Sequence, residues 1–217
     1  MHYQLITVEG NIGAGKTTLA HYFARDFSGK LILERFEDNP FLPKFFEDFK
    51  QNAFATELYF MAERYHQLSR EMTEPELFQT RVVMDYLFTK SLLFAKANLD
   101  EEEFTLFHKL FHIINPRLPE PELILYVHSD IDRLMHNIRE RGRDFEQGVD
   151  PAYLEKIQAN YFAWFRQNPH LRILVIDNND ADYVRDSDAY NWYKDIASRP
   201  WTTGLHFLRV GESVEAP

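Results

Sequence analysis

Nine consecutive residues, Gly10-Asn11-Ile12-Gly13-Ala14-Gly15-Lys16-Thr17-Thr18, have the types and spacing to hold a polyphosphate. They spell G-x-x-x-x-G-K-T. The glycines let backbone N–H groups turn toward anionic oxygens, and a following helix adds the positive end of its dipole. Lys16 is placed to reach the terminal phosphates of ATP, and Thr17 to ligate Mg²⁺. A glycine-rich turn without a ligand is the competing reading. The flanks argue against it: Leu5-Ile6-Thr7-Val8 reads as a buried strand, and Thr18 to Ala24 can start a helix.

Two carboxylates and an arginine cluster complete the chemistry. Glu34 follows an apolar run and is the candidate to take a proton from an attacking hydroxyl. Asp85 follows another run and is the candidate to orient Mg²⁺ or its waters. The segment Arg139-Glu140-Arg141-Gly142-Arg143-Asp144-Phe145-Glu146 suits a lid, because the fixed fork of donors on Arg141 and Arg143 matches phosphate. For each carboxylate the bland alternative is a charged strand end, and for the arginines a solvated helix face.

These residues need a scaffold that brings strand tips together. Five segments read as strands buried on both faces: Gln4 to Val8, Lys30 to Leu33, Arg81 to Met84, Leu123 to His128 and Arg172 to Ile176. Between them the spacing predicts helices over Phe54 to Arg70, Tyr86 to Asn98, Glu101 to Ile114, Asp130 to Arg141 and Pro151 to Gln167. The expected fold is α/β, a five-stranded parallel sheet with helices on both faces. Ligands then bind at the carboxyl ends of the strands, which puts the loop, Glu34 and Asp85 in one cleft. Residues 1–217 read as one domain, with 200–217 as a tail that either adds an edge strand or packs loosely.

Composition bounds the function. Apolar residues make up 45% of the 217, enough for a sizeable core. There is no cysteine, which excludes disulfides, thiolate metal sites and cysteine nucleophiles. A formal charge of −10 makes the chain a poor partner for nucleic acid. No apolar run approaches the ~20 residues of a membrane span, and no signal peptide is visible, so the cytoplasm is the default location. His108 and His112 stand four apart, but phosphoryl transfer has no need of zinc, and they read as core or surface histidines.

With loop, carboxylates and lid in view, the chain from Tyr3 to about Ile176 resembles the deoxynucleoside kinases, a P-loop kinase fold. Val8 to Thr18 looks like that family's loop. Glu34 followed by Asn39-Pro40-Phe41-Leu42 looks like its bacterial purine branch. Arg141 to Gly148 followed by Tyr153-Leu154-Glu155-Lys156 looks like its lid and next helix. The resemblance implies ATP and Mg²⁺, a deoxynucleoside substrate and a homodimer. It implies Glu34 as general base on the sugar 5′-hydroxyl, Arg141 and Arg143 on the phosphates, and Glu146 on the 3′-hydroxyl. Phe54 and Phe78 or Phe88 are candidates to pack on the base.

Three departures stand out. The family's arginine after the third strand is absent from Asp85-Tyr86-Leu87, with Lys90 one turn on. A tyrosine that serves the 3′-hydroxyl falls on Phe46. The base-reading glutamine aligns with Glu57, while the downstream arginine, Arg64, is kept. Glutamine offers a donor and an acceptor, which suits adenine or cytosine; an ionised glutamate only accepts. Guanine presents two adjacent donors, so Glu57 points to deoxyguanosine, unless it pairs with Arg64 or Arg81 instead. A nucleoside monophosphate kinase and a nucleotide-binding protein without catalysis are the alternative functions.

Overall fold

Leu5–Gly10 forms strand β1 with all six residues buried, as its β-branched and leucine-rich composition requires. It lies inside a six-stranded sheet of order β2-β3-β1-β4-β5-β6. The other strands are β2 (Lys30–Ile32), β3 (Val82–Met84), β4 (Leu123–His128), β5 (Arg172–Asp177) and β6 (Gly204–Arg209), and every pairing is parallel. This computed structural model describes residues 2–35, 39–47, 49–72, 81–115 and 118–214.

Alternate residues of each strand feed opposite faces. Ile6, Val8, Leu125, Val127, Leu174 and Ile176 pack under helices α1 (Lys16–Asp26), α6 (Ile131–Arg141) and α8 (Ser187–Ser198). Leu5, Val82 and Met84 meet α3 (Phe49–Glu71) and α5 (Glu101–Ile114). Ile124, Tyr126, Ile173 and Val175 meet α4 (Lys90–Asn98) and α7 (Pro151–Gln167). A short α2 (Leu42–Glu47) precedes α3. Burial on both sides is why these strands read as continuous apolar runs. No helix among the described residues is long and apolar enough to cross a membrane.

The sheet has six strands where five were expected. The sixth comes from the C-terminal tail, which pairs with β5 from Arg172↔Gly204 to Asp177↔Arg209. An edge strand is only half covered, so it lacks the continuous apolar signal; Phe207 is 66% exposed. Side chains hold the tail in place. The Trp201 N–H donates to the Tyr3 hydroxyl at 2.6 Å, and its indole N–H donates to the Ile196 carbonyl at 2.9 Å.

Helix α4 begins at Lys90, four residues later than the periodicity suggests. Tyr86, Leu87 and Phe88 are buried in the turn after β3, where the Leu87 N–H donates to Glu9 Oε1 at 2.6 Å. Helix α3 starts earlier than expected, and α2 and α8 were not anticipated. At α5, Asp100 accepts from the Glu103 N–H at 2.9 Å and the Glu103 side chain returns to the Asp100 N–H, a capping box.

Replacing that cap by Asp100→Ala should cost about 1 kcal/mol. Thermal unfolding should fall by roughly 2–4 °C, and an unchanged midpoint would show that the cap contributes nothing.

Candidate active site

The glycine loop leaves β1 and enters α1 with Gly13 and Gly15 in the left-handed region, φ +82° and +89°. Neither position has room for a side chain. A Cβ on Gly13 would lie 2.8 Å from the Leu134 carbonyl oxygen, and one on Gly15 would lie 2.1 Å from the Tyr183 hydroxyl. Helix α6 and the β5–α8 connection therefore press against the loop. Asn11 braces it from behind: its amide donates to the Leu154 carbonyl at 2.8 Å, and its Oδ1 accepts the Ile12 N–H at 2.8 Å. Gly10 also lies behind the loop, against the Val127 carbonyl. Ile12, Gly13, Ala14, Gly15, Lys16, Thr17 and Thr18 line a cleft of about 800 Å³. Lys16 folds back over the loop, its Nζ donating to the Asn11 carbonyl at 2.8 Å. Burial and the nearby Lys90 push its ammonium down to about 8.

The tips of β2 and β3 meet at the loop. Asp85 accepts the Thr17 hydroxyl on Oδ2 at 2.7 Å and the Glu34 N–H on Oδ1 at 2.8 Å. The Glu34 carboxylate is then held by two cations. Arg64 reaches Oε1 with Nε at 2.9 Å and also with Nη2, and Lys90 bonds Oε2. The remaining Arg64 Nη1 donates to the Ser91 hydroxyl at 2.7 Å. Burial by itself would raise the Glu34 carboxyl; Lys90 and Arg64 outweigh it and hold the group well below the usual carboxylate range. So Lys90, the first residue of α4, places a second cation on Glu34, where the sequence has no arginine directly after Asp85. Tyr86 takes no part. It is fully buried, and its hydroxyl donates to Gln67 Oε1 at 2.9 Å.

At the lid, Arg141 Nε donates to Glu146 Oε2 at 3.0 Å and Arg143 Nη1 to Glu146 Oε1 at 3.3 Å. Gly142, φ +69°, ends α6 and turns the chain between the two arginines. Sequence patterns did not single out Arg133. It lines the cleft eight residues before Arg141, and its buried Nε has no hydrogen-bond partner. Four residues on, Asn137 donates to the Gly13 carbonyl at 2.8 Å. Tyr183, also unanticipated, donates to the Gly15 carbonyl at 2.8 Å. The only signal for it was its place in the connection after the fifth strand.

At the far end of the cleft, Glu57 and Asn98 meet, Nδ2 to Oε1 at 2.6 Å. Burial pushes the Glu57 carboxyl up to about 7 against the pull of Arg64 and Asn98. Glu57 pairs with neither Arg64 nor Arg81: Arg64 bonds Glu34 and Ser91, and Arg81 bonds the Phe27 carbonyl. The aromatic walls are Phe45, Phe60, Phe94, Phe145 and Tyr153. Phe54 and Phe88 are not among them. Phe88 stacks on Phe111 with ring centroids 5.0 Å apart, and Phe54 packs in the same core beneath α3. Its phase on α3 turns Phe54 away from the cleft, and the turn after β3 does the same for Phe88. The Phe46 side chain and Phe78 lie outside the described residues. His108 and His112 sit on α5, Nε2 to Nε2 at 3.0 Å, remote from these groups.

A family model described as deoxynucleoside kinase matches residues 6–198. The chain is 35% identical over 185 residues to a deoxyguanosine kinase of Bacillus subtilis (strain 168), covering 82% of this chain and 88% of that protein. It is 28% identical over 192 residues to the deoxyadenosine/deoxycytidine kinase of the same organism, covering 85% and 87%. Among solved structures, a deoxyadenosine kinase from M. mycoides with dCMP and a flexible dCDP bound superposes with a TM-score of 0.76. That match has 20% identity and covers 88% of this chain and 97% of that one, a likeness of fold.

Lys90→Met removes one of the two cations on Glu34. It should destabilise the chain by about 3 kcal/mol at pH 7. In the wild-type chain the depressed Glu34 titration stabilises above the unfolded carboxyl value and is lost as pH falls through the folded one. The difference between variant and wild type should therefore shrink below pH 4; thermal unfolding that shows a constant difference would contradict the pairing.

Proposed function

The chain belongs to the deoxynucleoside kinase family, and from that premise we propose that it moves the γ-phosphoryl group of ATP to the 5′-hydroxyl of deoxyguanosine in preference to other deoxynucleosides. It is a phosphotransferase acting on a deoxynucleoside hydroxyl, a salvage reaction. The observation that carries the reading is one cleft with a phosphate loop at one end, a buried carboxylate, Glu57, at the other, and Glu34 between. An ionised Glu57 suits guanine, which presents two neighbouring donors.

Phosphoryl transfer needs positioning and charge neutralisation more than covalent help. Glu34 accepts the hydrogen bond of the 5′-hydroxyl and orients it in line. Clamped by Arg64 and Lys90, it is a weak base, so it takes the proton late, once the new P–O bond has formed. Lys16, Arg141 and Arg143 neutralise the phosphate oxygens, and Arg133 adds a charge whose buried Nε has no hydrogen bond among the described residues. Glu146, now paired with the lid arginines, accepts the 3′-hydroxyl as they turn to the donor phosphates. The Thr17 hydroxyl and Asp85 carboxylate, 2.7 Å apart, are hard oxygen ligands at the mouth of the loop and fit Mg²⁺. Held there, the ion would supply neutralising charge to the donor phosphates. A monophosphate acceptor is less favoured because Arg64 and Lys90, the buried cations at the acceptor side, are both engaged by Glu34.

The same proposal takes 1–217 as one kinase domain, cytoplasmic and homodimeric. Supporting the dimer are two apolar residues on α5, Leu106 and Ile113, 50% and 64% exposed.

Glu34→Gln should lower kcat by about 10²–10⁴ with little change in the KM for ATP; undiminished turnover would overturn the assignment. Arg133→Ala should raise the KM for ATP about tenfold, the loss of one charge-assisted contact, with partial recovery in Arg133→Lys. Assayed side by side, deoxyguanosine should be turned over faster than deoxyadenosine and deoxycytidine. If it ranks last, the guanine preference is wrong.

A further inference from the structure

Two acceptor atoms at the floor of the cleft are buried without a hydrogen bond among the described residues: Glu57 Oε2 and Asn98 Oδ1. Their residues are 3% and 8% exposed. They sit on different helices, α3 and α4, and are joined by the 2.6 Å bond from Asn98 Nδ2 to Glu57 Oε1. That bond fixes the amide. With its NH₂ on a carboxylate, Asn98 must present its oxygen elsewhere. No nearby cation satisfies the pair: Arg64 is taken up by Glu34 and Ser91, and Lys90 by Glu34. A buried acceptor with no donor is costly, and a ligand that brings N–H groups relieves that cost.

We propose that Glu57 and Asn98 together read the purine base, and that a single proton on the pair changes which purine they read. The inference rests on the deoxynucleoside kinase reading above and names the groups that set its specificity. With Glu57 ionised, the floor offers two acceptors. Guanine meets them with N1–H and an N2–H. Adenine does not, because its N1 lone pair would face an acceptor. With Glu57 protonated, the hydroxyl of the acid becomes a donor while Asn98 Oδ1 still accepts. That pattern matches adenine N1 and N6–H, as a glutamine would, and leaves guanine with one donor unpaired.

Both forms are accessible near neutrality. The groups facing Glu57 are Arg64 on its own helix, Glu34 after β2, Lys90 and Asn98 on α4, and Tyr153 on α7. Burial raises the carboxyl and Glu34 adds to it; Arg64, the Asn98 bond and Lys90 oppose them, and the balance is about 7. The sign follows. Raising the pH fills the anionic form and favours guanine, and lowering it fills the acid and favours adenine. The ratio of the two forms changes tenfold per pH unit.

The test is the ratio of kcat/KM for deoxyguanosine to that for deoxyadenosine in the wild-type enzyme from pH 6 to pH 8. Taking a ratio removes every effect of pH on ATP, Lys16 or Glu34. The ratio should rise about tenfold per unit, roughly a hundredfold in all. In Glu57→Gln it should be flat and favour deoxyadenosine. In Asn98→Ala it should fall at every pH, and the deoxyguanosine profile should move to higher pH because the carboxylate has lost a donor. An unchanged KM for ATP would show that both variants keep the fold. A flat wild-type ratio with deoxyguanosine turned over, or an unaltered ratio in Asn98→Ala, would overturn the inference alone. Failure to phosphorylate any deoxynucleoside would overturn the kinase reading and the inference with it.

Discussion

One carboxylate held by two cations organises this molecule. Glu34 stands two residues beyond a three-residue strand, too short to fix a side chain by itself. Its backbone N–H is tied to Asp85 and its two oxygens to Arg64 and Lys90. Through those bonds the tips of β2 and β3, helix α3 and helix α4 share one point, and Thr17 adds the phosphate loop by way of Asp85. Taking these charges out of water is expensive, and only the reciprocal pairing offsets it. The arrangement keeps Glu34 ionised and fixed in place, as the role proposed for it on the acceptor hydroxyl requires.

Charge is distributed unevenly to serve that point. The chain carries a net −10, yet Lys16, Arg64, Lys90, Arg133, Arg141 and Arg143 converge on one cleft. The local field, rather than the net charge, governs the capture of a polyphosphate. Several of these cations are pre-paired with acidic side chains, so the cleft does not hold naked charges in low dielectric. Arg141 and Arg143 rest on Glu146, bonds that the proposed function has a ligand exchange for its own.

The position after Asp85 illustrates how a charge can move along a helix. Tyr86 is buried and bonded to Gln67, whose amide in turn donates to the Leu33 carbonyl at 3.0 Å, next to Glu34. The tyrosine thus buttresses the β2 tip by packing and hydrogen bonding. The positive charge arrives four residues later, because the turn of 86–89 delays α4 and leaves Lys90 in its first turn, aimed back at Glu34.

The glycine loop, the buried strands and the lid arginines were legible in the sequence because each is a local pattern: a contiguous motif, an apolar run, a helix ending in glycine. The meeting of Glu34 and Asp85 beside the loop followed from the rule that strand tips share a cleft. Only the tertiary structure decided the rest. The edge strand β6 carries no apolar run of its own, since one of its faces meets water, and it became a strand by pairing with β5. The turn after β3 sent Phe88 into the core against Phe111, and helical phase brought Phe60 and Phe94 to the cleft. Glu57 was visible as a carboxylate where a glutamine is usual, but its partner is Asn98, 41 residues away on another helix. Sequence determines which groups a chain owns. Which of them are desolvated together, and so what proton or base they will accept, depends on contacts between distant segments that no local pattern encodes.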